Sequence, residues 1–176
     1  MKNEKFEMPA KLMICLRKCP DQGKSETIKA LAEILMQDIP LTKAKWYWPK
    51  QWLFAYKKKP EEMEKWSKKI TEWPGDICVA VDVQGKRVGL CSHGDYLDVI
   101  HECLKFLQKQ GCEIIFCACQ TRGQTVNVIE KMAGKGGYTI IWTTPYTDNT
   151  PPGKKQLSPL QKYLNMKKAE HLSDFI

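Results

Sequence analysis

The chain contains no stretch approaching the roughly 18 consecutive apolar residues that a membrane-spanning helix needs. Its first residues, MKNEKFEMPAK, carry no apolar run of the kind found in a secretory leader. No internal repeat and no low-complexity tract interrupts it. These absences argue against a helical membrane protein, a solenoid and a fibrous chain. They predict a cytoplasmic protein with no membrane partner, whose eight cysteines are mostly thiols. Closely paired C-x2-C spacing is also missing. Cys15, Cys78, Cys91 and Cys117 fall inside apolar runs, where free cysteine packs as a small hydrophobe. Cys117 and Cys119 form only a C-x-C, so no zinc–thiolate site is expected.

What is present suffices for a packed core. Of 176 residues, 43% are apolar, and the length fits one domain with an appendage. The net charge of +8 suits an anionic partner: a nucleotide, another phosphorylated small molecule, or nucleic acid. A solvated lysine surface accounts for the same charge.

Residues 11–17, KLMICLR, read as a short buried strand. Ile28, Leu31, Ile34 and Leu35 then mark one helix face, which Pro40 ends. Residues 75–95 hold two apolar runs around Gln84-Gly85-Lys86, a hairpin turn. Leu97, Ile100, Leu104 and Leu107 predict a helix from Tyr96 to Gln110. EIIFCA (113–118) and YTIIWTTP (138–145) read as strands, separated by a helix over TVNVIEKMAGKGG. Alternating strands and helices imply crossover connections and a parallel sheet, to which the hairpin adds an antiparallel strand. The expected fold is α/β: a three-layer α/β/α sandwich with a mostly parallel sheet containing one β-hairpin. One such domain spans 1–150, followed over 151–176 by a linker and a helical tail. Residues 43–74 form a basic, aromatic insert holding five of the six tryptophans, with a helix expected from Pro60.

Ligands in such folds sit at the carboxyl ends of strands. Here those ends are residues 18–25, Ser92-His93-Gly94-Asp95, and Gln120-Thr121-Arg122-Gly123. The first reads CPDQGKSETIKAL over 19–31 and matches the end of the phosphate-loop pattern G-x-x-x-x-G-K-[ST]. Gly23 lets backbone approach a phosphate, Lys24 reaches terminal phosphates, and the Ser25 hydroxyl suits magnesium. The helix opening at Glu26 aims its amides at the anion. Lys18 stands where the first glycine of the pattern belongs. An ordinary helix start explains the same residues, with Ser25 as the cap and Glu26 favouring the positive helix end.

Residues 11–36 resemble the P-loop NTPase superfamily. The resemblance implies that Gly23, Lys24, Ser25 and Glu26 bind ATP or GTP with Mg2+, in a small NTPase or kinase-like phosphotransferase. Such an enzyme needs an acidic residue at a neighbouring strand end for the metal. Asp82 ends ICVAVD but precedes the hairpin turn. Asp95 follows the returning strand and is preferred, with helix capping as the competing role. Arg122 offers a charge to a transferred phosphoryl group, with Thr121 and Thr125 beside it. His93 reads as a loop histidine that is either solvent-exposed or a local hydrogen-bond partner, and His101 as structural. The insert suits a substrate lid, a surface for stacking bases, or a cap packed on the sheet. The alternative function is a non-catalytic, degenerate P-loop domain that binds nucleic acid or a protein through that insert. The sequence does not fix the oligomeric state.

Overall fold

The computed structural model describes residues 9–18, 23–49, 69–146 and 158–176. The first strand, β1 (Leu12–Arg17), is buried through Leu16, and α1 (Lys24–Leu35) follows it. A short edge strand, β2 (Lys45–Trp46), precedes the hairpin β3 (Cys78–Val83) and β4 (Lys86–Cys91). Then come α2 (Leu97–Lys109), β5 (Ile114–Cys119), α3 (Gln124–Gly136), β6 (Thr139–Thr143) and α4 (Pro159–Ser173).

The six strands form one sheet in the order β2-β3-β4-β5-β1-β6. Strands β4, β5, β1 and β6 run parallel, while β2–β3 and β3–β4 pair antiparallel. The period-two alternation of β1 separates two cores. Leu12, Ile14 and Leu16 face Ile28 and Leu31 of α1 and Ala169 and Leu172 of α4. Met13 and Cys15 belong to the other face, with Ile100, Leu104 and Leu107 of α2 and Ile129 of α3. Helices therefore cover both faces of a mostly parallel sheet. That is the arrangement expected when strands buried on both sides alternate with crossover helices.

The connections leaving β1 and β5 diverge. Helix α1 carries the chain across one face toward the hairpin, whereas α3 carries it across the other face, past β1, to β6. Divergence at neighbouring strands opens a crevice at their carboxyl ends. Because β3 is antiparallel to β4, the amino end of β3 also borders this crevice.

The tail folds as a helix docked along α1. Ser158 caps it by accepting from the Gln161 amide at 3.0 Å, and proline occupies its first turn. Of the basic, aromatic insert, residues 43–49 and 69–74 are described; the helix expected from Pro60 lies outside the described residues. Part of the insert belongs to the sheet, as β2 pairs with β3 at its edge. Trp46 stacks on Trp48 at 5.8 Å and meets Trp73 at 4.9 Å, and Trp46 donates its indole N–H to the Leu41 carbonyl at 2.9 Å. These three rings pack on the α1 side of the core, so their aromatic surface is structural.

Candidate phosphate-binding site

The crevice is built from the head of α1 outward. Gly23 is the first cap position of α1, with φ +81°, a left-handed conformation that costs other residues about 1 kcal/mol or more. Having no side chain, it leaves the leading amides of the helix without a side-chain cap. Residues 19–22 of the expected loop lie outside the described residues. Lys24 is only 5% exposed. Its charge reaches Cys119 at the end of β5. There, burial first and then Cys117 push the thiol up to about 12, while Arg17 and Lys24 oppose the shift. The Ser25 hydroxyl donates to the Ser92 carbonyl at 3.1 Å, joining the head of α1 to the end of β4. Glu26 pairs with Lys29 at 3.4 Å. It also lines a cavity of about 360 Å³ with Glu33, Lys69, Glu72, Lys162 and Asn165.

The end of β4 carries a second group of polar residues. The buried Ser92 hydroxyl accepts from the Ile77 amide and donates to the Asp76 carboxylate, both at 2.8 Å. Of the two expectations for His93, solvent exposure does not hold: the residue is 7% exposed, with Nδ1 3.7 Å from Asp76. Its Nε2 is buried without a partner among the described residues. Gly94 permits this tight passage: a Cβ there would stand 2.8 Å from the Ala118 backbone on β5. Asp95 is exposed at the same end of the sheet as Gly23. It does not occupy the cap of α2; that position is Tyr96, which makes no side-chain capping bond.

Asp82 is not brought to this end. It sits where β3 enters the hairpin turn, at the opposite end of the strands, and grips Arg87 with both oxygens at 2.7 and 2.6 Å. Those bonds hold its carboxyl below the usual range. The reason is strand direction: an antiparallel neighbour presents its carboxyl end away from the ends of the parallel strands. His101 is exposed on α2.

After β5, Arg122 is exposed in the turn before α3. A different arginine, Arg17 at the end of β1, fixes this turn by donating to the Thr121 carbonyl at 2.7 Å, and its guanidinium lies 4.7 Å over Trp142. Thr125, in the first turn of α3, is buried with an unpartnered hydroxyl among the described residues.

Helix α4 closes the side of the crevice at Gly23. A Cβ on Gly23 would meet Asn165 Oδ1 at 2.6 Å and Gln161 Nε2 at 3.1 Å. Gln161 donates to Asn165 Oδ1 at 2.8 Å and to the Tyr146 carbonyl at 2.9 Å. Asn165 Nδ2 is buried with no partner among the described residues.

The crevice thus gathers a buried ammonium, uncapped helix amides, two hydroxyls and the Asp76 carboxylate. Among the described residues, three buried polar atoms on the framing elements lack partners: His93 Nε2, Thr125 Oγ1 and Asn165 Nδ2. Such a set can hold an oxyanion and, beside it, a hard cation. Sequence reasoning missed Asp76, Arg17 and Asn165, and placed Ser92 at a ligand-facing strand end without giving it a role. Asp76 precedes a strand instead of ending one, and Asn165 lies in the tail; neither position carries a local signal. Compared with protein-family models, curated proteins and solved structures, the chain matches none.

Proposed function

We propose that the chain is a P-loop-like protein that binds a nucleoside triphosphate, ATP or GTP, with magnesium at the carboxyl end of β1. The observation carrying this reading is Lys24: an almost fully buried lysine, next to a left-handed glycine, at the head of the helix that leaves β1. The terminal phosphates would meet Lys24 and the leading amides of α1, where the positive helix end favours anions. Ser25 would ligate magnesium through its hydroxyl, already turned toward the end of β4. Asp76 and Asp95 both stand at this end, and Asp76 is the one already fixed by a neighbouring side chain, Ser92. Bound there, the ion neutralises phosphate charge. Arg122, in the turn that Arg17 holds through the Thr121 carbonyl, would offset charge that develops on a transferred phosphoryl group.

The test is calorimetric titration of ATP and GTP with and without magnesium. The wild-type chain should bind a triphosphate more tightly with the ion present. Lys24→Ala should lose that binding while keeping its circular dichroism spectrum. Unchanged affinity in the variant, or a wild-type chain that ignores both nucleotides, overturns the reading. One observation favours a second reading: Asn165 and Gln161 already occupy the space over Gly23. On that reading the loop is degenerate, and the chain engages nucleic acid or a protein through its basic insert. Oligonucleotide binding that falls steeply with salt, without nucleotide binding, would select it.

A further inference from the structure

Cys15, Cys78, Cys91, Cys103, Cys112, Cys117 and Cys119 are free, buried thiols, and all seven lie on the α2–α3 side of the sheet. Strand register sets four of them side by side. Cys78 pairs across to Cys91, Cys91 to Cys117, and Cys117 to Cys15. Helix α2 adds Cys103 above this row. The sulfurs of Cys78, Cys91 and Cys103 all lie within 4.8 Å of one another, and each residue is fully buried. Cysteine spacing along the chain argued against a thiolate site, because the three ligands come from two paired strands and a helix rather than from one loop.

We propose that Cys78, Cys91 and Cys103 bind a monovalent copper ion. Thiolate sulfur selects soft ions, copper(I) among them, and all three side-chain donors of this group are sulfur. Among the described residues, only these three contribute a ligand atom to the group. A structural zinc site takes four protein ligands. The surrounding core, including Val99, Ile100 and Leu104, is apolar. Backbone carbonyls also approach, Cys91 Sγ donating to the His93 carbonyl at 3.6 Å and Cys78 Sγ to the Cys103 carbonyl at 3.9 Å. An ion centred among three sulfurs, with bonds of about 2.3 Å, holds them about 4.0 Å apart. That spacing falls inside the 4.8 Å within which the three sulfurs already stand, so no large rearrangement is needed. The strands and helix that carry the ligands are already packed, so little ordering remains to oppose binding. On binding, one copper(I) displaces up to three thiol protons to solvent, leaving a copper–thiolate group of charge 0 to −2, and no sulfur changes oxidation state. The site stands on the opposite face of the sheet from α1 and does not depend on the nucleotide reading.

The full chain, unfolded under strict reduction and refolded with one equivalent of copper(I), tests this against a competing chromogenic copper(I) chelator. The wild type should retain one copper per chain. Cys112→Ser, which alters the same core outside the cluster, should retain it equally. Cys103→Ser should bind more than about 100-fold more weakly, a larger loss than an outer-shell change causes. X-ray absorption of the loaded wild type should show three sulfur neighbours and no nitrogen or oxygen. Should Cys103→Ser not refold, the wild-type competition and spectrum decide alone. Copper surrendered at once by the wild type, equal retention by Cys103→Ser, or a coordination shell containing nitrogen or oxygen overturns the proposal.

Discussion

At Gly23 two demands coincide. The backbone is left-handed, and the carboxamide of Asn165 occupies the place of a side chain. Gly23→Ala should therefore destabilise the chain by about 1–3 kcal/mol, from backbone strain and steric overlap together. Thermal unfolding measures this. If the overlap contributes, Asn165→Ala in the same chain should recover part of the loss, as expected for residues in contact. Additive losses would show that the strain is in the backbone alone. The two aspartates predict a contrast. Asp82 and Arg87 form an exposed ion pair, so Asp82→Asn should cost about 0.2–1 kcal/mol. Because Arg87 lowers the Asp82 carboxyl, that contribution is present at neutral pH and disappears as pH falls through the lowered value. Asp76→Asn should instead weaken nucleotide affinity in magnesium more than in its absence. Equal weakening in both conditions would remove Asp76 from the ion's surroundings.

At the scale of elements, α4 is as much a part of the candidate site as α1. It supplies Asn165 beside Gly23, and Lys168 reaches Thr143 on β6 at 2.8 Å. Its hold on the domain comes from Ala169 and Leu172, both buried against the α1 side of the sheet. Leu172→Ala should cost about 2–5 kcal/mol, the range for a buried leucine whose cavity does not collapse. A denaturant titration with unchanged m-value would give the figure. A cost near zero would mean that α4 packs loosely and that Asn165 does not define the crevice. The hairpin acts at the same scale. By turning the chain back, it brings the amino end of β3, and with it Asp76, to the carboxyl ends of β4, β5 and β1.

Across the whole molecule, the seven described cysteines are all buried. In the native chain they should resist a water-soluble disulfide reagent and react together on unfolding, since exposure of a core thiol tracks opening of the core. Rapid modification of more than one thiol in native buffer would show that the α2–α3 side opens locally. Cys19 lies outside the described residues, which is why one reactive thiol is compatible with this expectation.

Much of this organisation could be read along the chain. Strand β1 follows from a short apolar run, the β3–β4 turn from its Gln-Gly-Lys, and helices α1 and α2 from a period of about 3.6 residues, and these need only near neighbours. The head of α1, with Gly23, Lys24 and Ser25, was legible for the same reason. Pairing between strands was not, because register joins residues far apart in sequence. Only strand order and direction bring Asp76 to Ser92, bury His93, and remove Asp82 to the far end of the strands. The meeting of Cys78, Cys91 and Cys103, and the approach of Asn165 to Gly23, likewise arise when distant segments pack around one sheet. Local patterning chose the elements and the chemistry at their ends; long-range packing chose which of those ends face one another.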